Sequence, residues 1–186
     1  MVGAFVELGV DLEPGGRGGW SKLEFGWQVG PTQNHDDAIA AVQVALDETE
    51  RLLGRTLLET ITVEETGELR PVAIVTDNGP CFKAHPFARF IDRHPELTHI
   101  RTRVKSPGQN GVRERAFRSL KYEHLYRVEI DDGHQLGLEA ESYRQLFNRI
   151  RPHEAIGMRR PLDVHLENCN DHQTPKSTEP KTLPFS

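Results

Sequence analysis

One nine-residue stretch limits what this chain can become: Val72-Ala73-Ile74-Val75-Thr76-Asp77-Asn78-Gly79-Pro80. Its short apolar run, rich in β-branched residues, reads as a buried strand. Asn78-Gly79 is a turn signal, and Pro80 has no N–H with which to continue a ladder. The strand therefore stops on Asp77 and leaves a carboxylate at the rim of a sheet, where open α/β sheets gather their chemistry. A second stretch, Ser106-Pro107-Gly108-Gln109-Asn110-Gly111-Val112-Arg113-Glu114-Arg115, reads as a polar loop entering a helix at about Val112, with Glu114 in its first turn. Residues 78 to 113, 36 in number, separate the two carboxylates.

The rest of the chain supplies an α/β frame for that pair. Ala4 to Leu12 reads as a strand, the Gly-rich run 14–19 as a turn, and Trp20 to Val29 as a half-buried strand, because Leu23, Phe25, Trp27 and Val29 alternate with polar residues or glycine. Together they suggest a hairpin. Asn34 is a suitable N-cap, with Asp36 and Asp37 placed to complement the helix dipole. Ala38, Ile39, Val42, Ala45, Leu46 and Leu53 follow at helical spacing up to Gly54. Residues 55–70 read as a polar connection with a turn at Glu64 to Glu68. Lys83 to Arg93 is expected to be a short helix, Thr98 to Val104 a strand bearing basic side chains, and Val112 to Arg127 a helix. On that last helix Glu114, Arg118 and Lys121 share a face. Asp131-Asp132-Gly133 reads as a turn. Leu136 to Ile150 reads as a helix packing through Leu138, Tyr143, Leu146, Phe147 and Ile150 and stopped by Arg151-Pro152. Residues 1–168 are expected to form one domain, atypical at 1–19, and 169–186, with three prolines among polar residues, a disordered tail.

At 186 residues the chain is long enough for one sizeable core. No apolar run reaches a membrane span. Met1 to Leu12 carries Glu7 and lacks a basic start, so it does not read as a signal peptide. Cys81 and Cys169 are too few for a disulfide framework, and no Cys/His spacing suggests zinc. These features fit a reducing cytoplasm. The net charge of −5 argues against nucleic acid until its distribution is considered. Between Arg101 and Arg127 eight cations face two carboxylates, a local balance of +6. A solvated helix face is the plain reading of such a run; a basic patch is also what a phosphate backbone requires.

Asp77-Asn78-Gly79-Pro80, the Ser-Pro-Gly-Gln-Asn-Gly-Val-Arg-Glu-Arg string of residues 106–115, Ser119-Leu120-Lys121-Tyr122-Glu123 and Asn148-Arg149-Ile150-Arg151-Pro152-His153-Glu154-Ala155 occur in this order. In that combination the chain, from about Glu24 to Val164, resembles the integrase core of bacterial insertion-sequence transposases of the DDE type. The resemblance implies an RNase H-like fold, a mixed sheet flanked by helices, possessing a catalytic Asp, Asp, Glu triad. It implies two bound Mg2+ or Mn2+ ions and the cutting and rejoining of DNA at transposon ends and target, by a homo-oligomer assembled on that DNA near the nucleoid. Asp77 and Glu114 match the second and third triad members.

The residue types suit that chemistry. Phosphodiester transfer needs charge neutralised on the attacking and leaving oxygens, which two divalent ions about 4 Å apart achieve if carboxylate oxygens hold them. Each acid alone has a plainer role: Asp77 as a turn former, Glu114 as a first-turn dipole partner. Arg113, Arg115, Arg118, Lys121 and Lys105 are candidates for DNA phosphates. Pairing of Arg118 and Lys121 with Glu114 or Glu123 is the alternative. Asn110 is a candidate nucleotide contact or an ordinary loop residue. Arg151, Pro152 and His153 are expected to be structural, the cation packing back on the domain. Asp11 has two readings. It is the first metal ligand, with an intervening strand lost, or it lies in a turn of a core that lacks its first strand. The second would make the chain a truncated transposase, a remnant that at most binds DNA.

Overall fold

The computed structural model describes residues 21–28, 34–102, 115 and 117–171. Two strands, β1 (Val72–Thr76) and β2 (Leu97–Arg101), pair in parallel from Val72 against Leu97 to Thr76 against Arg101. Val72, Ile74 and Thr76 point into the core and Val75 outward, so β1 alternates and buries one face among the described residues. The expected strand 98–104 begins one residue earlier and its described part ends at Arg101.

The first helix, α1 (His35–Leu53), starts where its cap predicts. Asn34 Oδ1 accepts the Asp37 N–H at 2.9 Å, and Asp37 Oδ2 accepts the Asn34 N–H at 3.3 Å. It stops at Gly54, whose φ of 70° is left-handed and whose N–H reaches the Glu50 carbonyl. Ala38, Val42 and Ala45 form a buried stripe of small side chains, letting α1 lie close against the helices of the crossover and share one core with both strands. Within the polar connection a second capping box, Thr56 with Glu59, starts the short α2 (Leu57–Ile61), and residues 64–66 make the expected turn.

The β1–β2 crossover was expected to carry one helix and carries two: α3 (Pro80–Lys83) and α4 (His85–Asp92), broken at Ala84, whose ψ is 141°. Pro86 is the cause. In one continuous helix its ring would strike the Phe82 carbonyl, whereas the break puts it in a first turn, where its missing N–H costs nothing. Phe82 and Phe87 then meet edge to face at 5.4 Å inside the core.

The second half packs on α5 (Gly133–Arg149), which begins three residues before the expected start because Asp132 caps it, accepting the Gln135 N–H at 2.8 Å. Its buried face is Ala140, Tyr143, Arg144, Phe147 and Asn148. Leu138, Leu146 and Ile150, expected to pack, are exposed, because the buried face runs from Tyr143 and Phe147 toward Arg144 and Asn148. Residues 117–119 are helical and run into a π-helical turn (Leu120–His124) and a 3-10 turn (Leu125–Arg127). Leu120 packs on Tyr143 and Phe147 there, and Phe117 meets Trp27 edge to face at 5.4 Å. The last helix, α6 (Pro161–Asp171), carries buried Cys169 beyond position 168, where the tail was expected to begin.

Residues 21–28 differ from the expected simple strand. Leu23 and Phe25 are buried as the alternation requires, but Glu24 is buried too, and apart from a bridge position at Gln28 the segment joins no ladder among the described residues. Its backbone is satisfied by a side chain instead: Asn148 Oδ1 accepts the Glu24 N–H at 3.0 Å and Asn148 Nδ2 donates to the Glu24 carbonyl at 2.7 Å.

Candidate functional site

Asp77 follows the last residue of β1 and is fixed from both sides. The ladder continues one step past the strands, the Thr102 N–H donating to the Thr76 carbonyl at 2.8 Å. Asn78 Nδ2 then donates to the Thr102 carbonyl at 2.6 Å, so a side chain supplies the next rung. On the inner side Thr76 Oγ1 donates to the Asp77 carbonyl at 3.0 Å and lies 2.8 Å from His99 Nε2 on β2. A hydroxyl has one proton; with it given to Asp77, His99 is the donor in the second bond. Burial, with Arg101 nearby, pushes the His99 imidazole below its ordinary range, so the neutral ring is the form that makes this contact near pH 7.

The Asp77 carboxylate folds over the turn it starts: Oδ1 accepts the Gly79 N–H at 2.7 Å. The turn-forming role is therefore realised. Gly79 has φ −55°, so it is not required for its backbone freedom. What matters is its size: a Cβ there would stand 2.9 Å from Asp77 Oδ1 and displace the carboxylate. Cys81, one residue into α3, is half-buried, and its thiol is pushed up by burial and further by the Asp77 carboxylate.

The basic turn is held by a different part of the core. Leu120 anchors it on α5 while Arg115, Arg118 and Lys121 are exposed. The considered pairing of these cations with Glu123 does not form. Glu123 instead takes both ends of the Arg151 guanidinium, which also donates to the Tyr143 hydroxyl at 3.2 Å and lies over the Phe147 ring. Arg151 thus packs back on the domain, as expected. Arg118, Lys121 and Arg127 make no ion pair among the described residues. Asp11, Lys105, Asn110, Arg113 and Glu114 lie outside the described residues. Among the described residues no three His, Cys, Asp or Glu side chains group as a metal site.

Sequence reasoning missed one constellation. Arg144, only 5 % exposed, joins Glu48 of α1 at 2.9 Å and Glu141 of α5 at 2.6 Å, and Nη1 reaches the Glu24 carbonyl at 3.3 Å. Burial alone would lower the guanidinium's pKa; hydrogen bonds to Glu141 and Glu48 outweigh it and raise it. Burial would likewise raise Glu48, and Arg51 and Arg144 together hold it below the usual carboxylate range. The available signal was Arg144 and Asn148 four residues apart beside Tyr143 and Phe147, two polar residues on a stripe that otherwise faces the core.

Parts of this chain are similar to known proteins. The family described as integrase core domain matches residues 96–161, which takes in Glu114, the basic turn and Arg151-Pro152-His153 and begins after Asp77. Over 104 residues, 54 % of this chain, it is 31 % identical to the putative transposase InsD for insertion element IS2E of Escherichia coli (strain K12), with 46 % of that protein covered. At the same identity and length it matches the transposase InsD for insertion element IS2D of that strain, covering 33 % of it. The chain thus spans less than half the length of these curated relatives. Among solved structures, the catalytic core domain of BIV integrase superposes with a TM-score of 0.51 over 83 % of this chain and 84 % of that one, at 23 % identity. The fold is therefore RNase H-like, as the motifs implied. No described helix is long and apolar enough to cross a membrane. Residues 96–161 are thus similar to the family described as integrase core domain, and just over half of the chain is similar to insertion-element transposases.

Proposed function

We propose that this protein acts in DNA transposition, as a metal-dependent polynucleotidyl transferase of the DDE type that cleaves DNA strands and joins them to a target. The observation that carries the reading is Asp77, held at the end of a parallel strand by Asn78 on one side and Thr76 on the other, in a chain whose next segment matches an integrase core. Asp77 offers hard oxygen donors on a rigid element, which suits Mg2+ or Mn2+. Glu114 and Asp11 are the acids assigned beside it. A pair of such ions, when bound, neutralises charge on the attacking and leaving oxygens.

The protein's own part is to position. Arg113, Arg115, Arg118, Lys121 and Lys105 hold phosphates, which fixes the register of the strand without reading its bases. Asn110 meets a nucleotide. The working form is a homo-oligomer on DNA, located with the bacterial chromosome in the cytoplasm.

The test is a strand-nicking and strand-transfer assay on the chain with Mg2+. Asp77→Asn and Glu114→Gln are expected to abolish both reactions while the circular dichroism spectrum stays that of the parent. Unchanged activity in Asp77→Asn refutes the assignment. DNA binding by a parent chain that neither nicks nor joins would mark a remnant, and hydrolysis without joining a nuclease.

A further inference from the structure

Tyr122 and Tyr126 are 61 % and 68 % exposed. They stand one turn apart on the segment Leu120–Arg127, their rings edge to face with centroids 5.2 Å apart. Tyr143, by contrast, is fully buried, so the fold has a place for a tyrosine ring and leaves these two outside it. The π-helical and 3-10 turns of this segment bring the two rings into contact, and Arg118 lies in the helical residues that lead into it. Arg118, Lys121 and Arg127, near the two tyrosines in the sequence, are exposed. The neighbouring charges are already engaged: Glu123 is held by Arg151, and His124 bonds Glu139 at 2.7 Å. Two aromatic faces are left in a field of uncompensated positive charge.

An apolar protein partner would cover the rings but would strip water from three cations and return no carboxylate, a costly exchange. Intact duplex DNA answers the cations with phosphates but keeps its base faces stacked inside. Single-stranded DNA presents both a phosphate chain and open base faces, and aromatic rings among cations are how proteins hold it. We propose that Tyr122 and Tyr126 form a stacking platform for unpaired bases of a DNA strand, with Arg118, Lys121 and Arg127 on the flanking phosphates. The inference deepens the proposed function by naming a single-stranded segment among what the protein holds. It rests on DNA being the substrate, and it is independent of the role given to Asp77.

The experiment is fluorescence anisotropy with a labelled mixed-sequence oligonucleotide, single-stranded and as a blunt duplex, on the full chain. Tyr122→Ala and Tyr126→Ala are each expected to weaken single-strand binding about tenfold and duplex binding by less than about twofold. Tyr122→Phe and Tyr126→Phe keep the ring and are expected to bind as the parent does. Single-strand binding unchanged in both alanine variants overturns the platform, as does an equal loss on duplex or a parent that binds neither form. Sedimentation gives a further check: if the alanine variants break a dimer that the parent forms, a second copy covers the rings and the proposal is wrong. Asp77→Asn is expected to leave the single-strand preference intact, which separates failure of the platform from failure of the catalytic reading.

Discussion

Asn78 reaches from the end of β1 to donate its side-chain amide to the Thr102 carbonyl at 2.6 Å, one residue past the end of β2. That bond fastens the backbone just after Asp77 to the neighbouring strand, as the Thr76 hydroxyl fastens it just before. A carboxylate that must hold a cation tolerates little looseness, and small misplacements cost large factors in rate.

Asn78→Ala is therefore expected to slow Mg2+-dependent nicking by about tenfold to a hundredfold. Its stability cost is expected to be small, about 1 kcal/mol for one hydrogen bond. A nicking time course and a urea melt on the same preparation check both. Nicking at the parental rate would show that the cross-strand bond does not position Asp77.

Gly79→Ala should act on the carboxylate from the other direction. The new methyl group would stand 2.9 Å from Asp77 Oδ1, closer than the two can approach, and the flexible acid is what gives way. The backbone there has φ −55°, which alanine adopts freely. Activity is expected to fall while the melting temperature moves little. A variant that nicks at the parental rate would count against the strained approach of Cβ and carboxylate.

Arg144→Ala leaves Glu48 half-buried without its partner from α5, and it is expected to cost about 3 kcal/mol of unfolding free energy. Arg144→Met combined with Glu48→Met removes both charges, and it should recover part of that loss. Urea denaturation of the two variants measures the difference. A double variant no more stable than Arg144→Ala would argue that packing, not the stranded charge, sets the cost.

His165, 2 % exposed and edge-on to Phe25 at 5.4 Å, gives the fold an acid-sensitive point. Burial pulls its pKa down to about 4, whereas the unfolded chain titrates near 6.5. The folded pKa is the lower one, so between these values the unfolded state binds the extra proton. Stability is fully present above pH 6.5 and falls as pH drops toward 4, by on the order of 3 kcal/mol. Glu48 and Glu141, both held low in the folded protein, lose their contribution in the same direction below their ordinary range. Chemical denaturation at pH 7 and pH 5 is expected to show the drop, and His165→Phe is expected to flatten it. An undiminished drop between these pH values in that variant would show that His165 does not carry it.

What could be read in advance was whatever nearest neighbours along the chain decide. Asn34 and Asp37 cap a helix within four residues, Gly54 ends it within one turn, and Thr76-Asp77-Asn78-Gly79 stops a strand. The split at Ala84 was legible in principle, since Pro86 forces it, but it required weighing one proline against a run of helix formers. Leu138, Leu146 and Ile150 were misread because the apolar residues here span a wide arc, and which part of it turns inward depends on Leu120 and Trp27 from elsewhere. Arg144 was invisible for a related reason. A charged residue in a helix is ordinarily solvated, and part of what compensates its burial is Glu48, 96 positions away. In the site, Asp77 was readable from its own turn, while His99 behind Thr76 required the strand register to be known.

The amide of Asn148 takes up both main-chain groups of a residue 124 positions earlier. During synthesis from the N-terminus, residues 21–28 emerge long before α5 exists to receive them. Until that helix is complete and docked, the Glu24 peptide groups have only water for company, and this segment can latch only after 124 further residues have been made.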